Sequence, residues 1–126
     1  MNRARIIAAD GRTVCTAAIA DNPLTRLRGL LGRPSLPAGE GLLIRPAPSI
    51  HTLFMRFAID VVFLDAELRV LGVEEGLRPW RAAGCRGARA VLELPAGAAA
   101  RAGVGEGEQL TLAPANRARH DVRRGA

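Results

Sequence analysis

The chain has 126 residues, of which 48% are hydrophobic, and its formal net charge is +6, which fits one domain with an ordinary core and argues against a second domain. No apolar run is long enough to cross a bilayer and the N-terminus lacks a secretory apolar region, so we expect a cytoplasmic protein. Half of the net charge lies in the last eleven residues, and one Trp with no Tyr offers little for stacking on bases, so nucleic acid is not the expected partner.

The chain begins with the pattern of a β-hairpin. Segments 3–9 and 12–19 are β-leaning, and Asp10-Gly11 separates them. Asp-Gly suits a two-residue hairpin turn, in which the central residues need positive φ. The sequence therefore predicts two antiparallel strands joined at this dipeptide.

A short helix is predicted next. Asn22 is a good N-cap and Pro23 suits the first helical position, while Gly32 is expected to end the helix. Arg26 projects away from the apolar stripe and is expected to be solvated. The stripe is formed by four leucines, Leu24, Leu27, Leu30 and Leu31.

After a short buried strand at 42–44, the segment 49–65 contains all three Phe residues and is predicted to be the centre of the core. Alternation places Ile50, Thr52 and Phe54 on one face of a strand, and His51, Leu53 and Met55 on the other. Segment 59–64 has the composition of a strand buried on both faces. Asp60 interrupts it, so its carboxylate must be hydrogen-bonded, ion-paired or exposed, and Arg56 is the nearest partner in sequence.

The remaining segments alternate between strands and turns. Segment 68–74 is expected to pair with the preceding strand, and 76–84 to be a loop that contains Trp80. Segment 88–94 alternates as a half-buried strand whose less apolar face includes Glu93. A short Ala-rich helix within 95–103 and a last strand at 109–113 complete the domain.

These elements predict a mainly β fold, a β-sandwich, jelly-roll-like sheet or small barrel with two short helices. Residues 1–113 are expected to form one domain and 114–126 a basic, disordered tail. Cys15 and Cys85 have neither a redox nor a metal-ligand spacing and are expected to be free thiols. No cofactor or metal is expected, because the sequence lacks a ligand motif.

Four segments taken together resemble the family called domain of unknown function 192 (DUF192). They are 26–33, with Arg-Leu-Arg-Gly-Leu-Leu-Gly-Arg; 49–65; 76–81, with Gly-Leu-Arg-Pro-Trp-Arg; and 90–97, with Ala-Val-Leu-Glu-Leu-Pro-Ala-Gly. The resemblance covers about 18–112 and implies a single β-sandwich-like domain without an established activity, cofactor or catalytic residue. Gly is common in the family where this chain has Phe54 and Leu68. If the turn at Leu68 needs positive φ, Leu68 is strained by about 1 kcal/mol.

Four residues are candidates for a ligand site, and each also has an ordinary structural interpretation. His51 has a side chain suited to acid-base chemistry, but it also fits a core or rim histidine that is hydrogen-bonded to the backbone. Arg56 and Asp60 suit recognition of a small anion or sugar, or a structural ion pair. Trp80 suits stacking on a ring, or a lid over one end of the core.

Two functions follow from these candidates. The first is a non-catalytic module that binds a small ligand or a protein partner where His51, Arg56, Asp60 and Trp80 meet. The second is a hydrolase or carbohydrate-active enzyme that uses Asp60 or Glu93 with His51. Glu93 is otherwise expected to be solvated or paired across strands. Convergence of His51, Asp60 and Glu93 in one cleft would favour the enzyme.

Overall fold

A computed structural model describes residues 2–30 and 33–115, so most of the predicted tail, 116–126, lies outside the described residues. Within them the protein is mainly β, with nine strands and two short helices. The strands are β1 (Arg3–Ala8), β2 (Thr13–Ala20), β3 (Glu40–Ile44), β4 (Ser49–His51), β5 (Ile59–Leu64), β6 (Val70–Leu77), β7 (Ala82–Gly84), β8 (Ala90–Pro95) and β9 (Leu110–Pro114), and the helices are α1 (Pro23–Arg28) and α2 (Ala98–Arg101).

Seven strands form one sheet in the order β6-β5-β8-β3-β2-β1-β9, and β4 pairs with β7 in a separate two-stranded sheet. In the large sheet β2 and β3 are parallel and the other neighbours are antiparallel. The sheet curls until its edges touch at a bridge between Arg69 and Gln109, but it does not close into a barrel. The predicted mainly β class with two short helices is confirmed. No helix of the described chain has the length and apolar character needed to cross a membrane.

The N-terminal half follows its local signals up to the helix. The predicted antiparallel pair is confirmed, with Ile6 opposite Cys15. The expected two-residue turn is wrong: Gly11 has φ +93° but Asp10 is not at positive φ, and the Gly11 N–H donates to the Ala8 carbonyl at 2.9 Å. The Asn22 side chain accepts a hydrogen bond from the Thr25 N–H at 2.9 Å, as expected of an N-cap. The helix ends at Arg28, however, and the predicted burial of Leu24 is wrong: Leu24 lies in the first turn of this six-residue helix and is 74% exposed.

The large sheet is covered on both faces. One face packs in a cluster that includes Leu43, Val62 and Leu92 with Ala99 of α2. The other face packs in a cluster that includes Val61, Phe63 and Val91 with residues of the small β4–β7 sheet and the segment after α1, namely Leu30, Ile50, Met55 and Ala83. All six residues of β5 are buried, as predicted. The prediction of a half-buried β8 is wrong, because its second face also packs against this cover.

The segment predicted as the core strand, 49–55, is a strand only as far as His51. The chain then turns, and the Met55 N–H donates to the Thr52 carbonyl at 3.1 Å. Phe54 has φ +64° and is 67% exposed, so its predicted burial is wrong: the left-handed residue ends the alternation of faces. The segment predicted as a loop at 76–84 contains β7, which pairs with β4.

The turn at Leu68 does require positive φ. Its φ is +67°, and its N–H donates to the Asp65 carbonyl at 3.0 Å. A Leu in this conformation costs about 1–2 kcal/mol relative to Gly. Gly at this position would therefore relieve strain.

Both cysteines are free, as predicted. Burial raises the pKa of the Cys15 thiol to about 12. A thiol in that state is not a nucleophile at neutral pH. Cys15 is therefore a core residue of β2.

Candidate functional site

A cleft of about 200 Å³ opens on the face of the large sheet that the small sheet covers. Its apolar walls come from the sheet, from the residue that follows Gly29 at the end of α1, and from β4 and its turn: Leu30, Ile44, Ala47, Ile50 and Met55. Four polar side chains complete the lining: Arg26, Ser49, His51 and Glu93. A mostly apolar cleft with a few polar groups is the usual form of a small-molecule site.

Glu93 lies at the sheet side of this cleft. Its position in β8 places it opposite Leu42 of β3 and Val61 of β5, and its side chain is only 3% exposed. Its Oε1 has no hydrogen-bond partner among the described residues, and burial raises the pKa of its carboxyl to about 7. The prediction of a solvated or cross-strand pair is wrong, because the strand is covered on both faces. The raised pKa lets the carboxyl retain a proton closer to neutral pH than an exposed carboxyl would, so it can donate as well as accept a hydrogen bond.

His51 lies at the rim of the cleft, at the end of β4. The residue is exposed, and its Nδ1 accepts a hydrogen bond from the Leu53 N–H at 3.3 Å. In the neutral ring an accepting Nδ1 places the proton on Nε2. The interpretation as a core histidine does not hold, whereas a rim histidine with a backbone hydrogen bond describes this geometry.

Arg26 also lines the cleft, although its sequence position indicated a solvated helix face. Its Nη1 donates to the Pro46 carbonyl at 3.1 Å, and its Nε donates to the Asn22 carbonyl at 3.4 Å. These bonds hold the guanidinium between α1 and the loop that precedes β4. No local pattern identifies such a residue, because its role depends on how the loop packs against the helix.

Asp60 is buried on the opposite face of the sheet. Its two carboxylate oxygens accept hydrogen bonds from the Gly76 N–H at 2.9 Å and from the Ala99 N–H at 3.0 Å. The residue is 0% exposed and does not line the cleft. The expected requirement for hydrogen bonding is confirmed, but the expected partner Arg56 is wrong: backbone N–H groups of β6 and α2 take its place.

Thr52 joins the turn after β4 to the loop before β7. Its Oγ1 donates to the Arg78 carbonyl at 2.6 Å and accepts from the Arg81 N–H at 2.9 Å. Its backbone carbonyl accepts from the Trp80 N–H at 2.9 Å. Thr52 is fully buried. These bonds fix the two loops against each other.

Phe54 and Trp80 form an exposed aromatic pair on these two loops. The ring centroids are 4.7 Å apart and the planes are inclined by 59°. Trp80 is 56% exposed, so the interpretation as a lid over the core is wrong. Trp80 has φ +65°, which makes both members of the pair left-handed residues with bulky side chains. Each costs about 1–2 kcal/mol of backbone strain.

The structure therefore brings together some of the predicted candidates. His51 and Glu93 line one cleft, Asp60 lies on the other face, and Arg56 and Trp80 are exposed residues outside the cleft lining. In the part of the chain that the structure describes, no group of three His, Cys, Asp or Glu is placed to hold a metal ion.

Two solved structures share this fold. A crystal structure from Sinorhizobium meliloti 1021, described as a "putative transcription regulator", superposes with a TM-score of 0.76 at 27% identity over 87% of this chain and 92% of that one. A protein of unknown function from Novosphingobium aromaticivorans superposes with a TM-score of 0.74 at 22% identity, over 86% of this chain and 83% of that one.

Sequence comparison identifies the family. A protein of Thermococcus sibiricus named "UPF0127 protein" is 36% identical over an alignment of 84 residues that covers 63% of this chain. The match spans about half of that relative, 54% of its length. The model of the family DUF192, described as "Uncharacterized ACR", matches residues 5–112. The chain belongs to the DUF192 family, as its motifs indicated.

Proposed function

We propose that this protein binds a small organic molecule in the cleft, and that Glu93 recognises the polar end of that molecule. The supporting observation is that Glu93 lines the cleft while its buried Oε1 lacks a hydrogen-bond partner among the described residues. Leaving such a group unpaired costs about 1–3 kcal/mol. A ligand that hydrogen-bonds to Glu93 would recover this free energy.

The cleft restricts the size and charge of the ligand. Its volume of about 200 Å³ is close to that of an engineered protein cavity of about 150 Å³ that holds benzene, so a molecule of about one ring fits. Arg26 supplies a positive charge, and a protonated Glu93 supplies a hydrogen-bond donor. Together they favour a carboxylate or another acceptor over an ammonium group. The ring of the ligand would contact Ile50 and Met55.

One-ring probes test this proposal by NMR chemical shift. We expect benzoate to shift the amide signals of His51 and Glu93 more strongly than benzylammonium does, because Arg26 repels the cation. Arg26, His51 and Glu93 are the charged or titratable side chains that line the cleft. Glu93→Gln should remove the part of the pH dependence of benzoate affinity that comes from the Glu93 proton.

Glu40→Gln is the matched control, because Glu40 lies on the neighbouring strand β3 outside the cleft and faces Arg3 at 3.8 Å. It should bind benzoate as the original protein does. Stronger binding of benzylammonium, or equal effects of the two substitutions, would contradict the proposal.

An acid-base enzyme that uses Glu93 with His51 is the second candidate. Both side chains line the cleft, and a carboxyl with a pKa of about 7 suits a general acid. Asp60 does not supply a second carboxylate there, since its oxygens bind backbone N–H groups on the other face. Hydrolysis of p-nitrophenyl acetate or a p-nitrophenyl glycoside that is lost in both His51→Gln and Glu93→Gln would support this candidate over simple binding.

A further inference from the structure

We infer that the Phe54–Trp80 pair and its neighbouring arginines form a binding surface for single-stranded nucleic acid, with unstacked bases on the rings and phosphates on the guanidinium groups. The inference does not depend on the function proposed for the cleft, although the segment that carries Phe54 also supplies His51 and Met55 to the cleft lining. Neither ring is among the residues that line the cleft.

The first support is that the aromatic pair is energetically unfavourable for the folded protein. Two large apolar side chains are exposed on one small area, each on a residue in the left-handed region that favours Gly. Neither exposure nor positive φ benefits folding. Strain of this kind is typical of functional sites that the surrounding structure holds in place. Here Thr52 supplies that support through its bonds to Arg78 and Arg81.

The second support is the charge around the pair. Segments 51–58 and 78–84 contain no Asp or Glu but three exposed arginines, Arg56, Arg78 and Arg81. Arg81 holds its Nη1 beside the Trp80 carbonyl at 3.3 Å. A concentrated positive patch with stacking aromatics is the feature whose absence from the linear sequence argued against nucleic acid. The fold brings the two arginine-bearing segments together through the Thr52 hydrogen bonds to Arg78 and Arg81. The nearest exposed carboxylates in sequence are Glu74 and Glu75 of β6.

The shape of the pair distinguishes nucleic acid from an acidic protein partner. The rings come from two loops and are inclined to each other by 59°, and their residues are 67% and 56% exposed, which leaves ring faces accessible. Bases stack on such faces regardless of sequence, because every base has a flat π surface. A protein partner would instead need a pocket shaped to receive both rings.

The test uses the fluorescence of Trp80, the single Trp of the chain. We expect a single-stranded oligothymidylate of about 12 nucleotides to quench it at low salt, with an affinity that falls as salt rises. Phe54→Gly should weaken binding about tenfold or more while the protein stays folded, because Gly accepts the left-handed backbone. Arg78→Gln should reduce the number of counterions released on binding, read from the slope of log affinity against log salt concentration, by about one.

Leu68→Gly is the matched control, since it relieves positive φ at a residue remote in sequence from both loops and leaves the rings in place. It should bind the oligonucleotide unchanged. Three results would overturn the inference: equal affinity of Phe54→Gly and the original protein, equal quenching by polyglutamate, or binding of thymidine monophosphate as tight as that of the oligonucleotide. Polyglutamate binding would indicate an acidic protein partner, and monophosphate binding a small-molecule site.

Discussion

Asp60 and Glu93 are buried carboxyls on the adjacent strands β5 and β8, but they face opposite sides of the sheet. Asp60 lies on the face that packs against α2, and its two oxygens accept hydrogen bonds from the Gly76 N–H of β6 and the Ala99 N–H of α2. Glu93 faces the cleft, where its Oε1 has no partner among the described residues. The two carboxyls are therefore equally buried but have different roles. A satisfied carboxylate holds elements together, and an unsatisfied one in a cleft is available to a ligand.

The largest effect is expected from Asp60→Ala. It leaves the N–H groups of Gly76 and Ala99 without their acceptor, and the bonds lost are charge-assisted. We expect the free energy of unfolding to fall by about 2–4 kcal/mol, measured by urea denaturation. Asp60→Asn is the control and should lose less, because its carbonyl oxygen still accepts. A loss below about 1 kcal/mol for Asp60→Ala would show that the hydrogen bonds of Asp60 do not hold these elements together.

Glu93→Gln should raise the free energy of unfolding at high pH, whereas Asp60→Ala lowers it. The folded pKa of about 7 lies above the ordinary 4.5, so the folded state holds a proton that the unfolded state has lost. Stability is fully retained below pH 4.5 and declines as pH rises to about 7. At pH 8 we expect Glu93→Gln to be more stable than the original protein by up to about 3 kcal/mol. If Glu93→Gln and the original protein were equally stable at both pH 8 and pH 4, burial would not destabilise the charged form of Glu93.

Thr52→Val tests the cover of the cleft face. Val preserves the shape of Thr but leaves the Arg78 carbonyl and the Arg81 N–H unpaired. We expect a loss of about 1–3 kcal/mol in the free energy of unfolding. Hydrogen exchange should rise at the amides of Trp80 and Arg81 more than in β5. Uniform changes across both faces would show that Thr52 is an ordinary core residue.

Phe54→Gly should have the smallest effect on stability. Removing an exposed ring loses little burial, and Gly accepts the left-handed backbone. We expect the free energy of unfolding to rise by up to about 1 kcal/mol. Thermal melting compared with Phe54→Ala, which retains the strain, checks this. A melting temperature several degrees below that of the original protein would show that the aromatic pair stabilises the fold.

The sequence predicted the elements whose signals are local. The antiparallel pair β1–β2, the Asn22 cap and the buried strand at 59–64 depend on neighbouring residues and were confirmed. The family resemblance was also confirmed by the match over 5–112.

The site depends on contacts that no local pattern contains. Glu93 shares its cleft with residues of α1, of the loop before β4 and of β4 itself, all of them distant from it in sequence. The predicted alternation through Phe54 is wrong because β4 ends at His51 and Phe54 lies at positive φ in the turn that follows. The family preference for Gly at Phe54 and Leu68 was the one sequence signal of these positive φ angles.

A carbon-13 NMR titration of the Glu93 side-chain carboxyl in the free protein, assigned with the Glu93→Gln variant, tests most directly whether this carboxyl is buried and unpaired. An unpaired carboxyl buried in the cleft should titrate with a midpoint of about 7. A midpoint at the ordinary 4.5 would contradict the proposed role of Glu93, because it would mean that the carboxyl is solvated or paired in the free protein and is not available to a ligand.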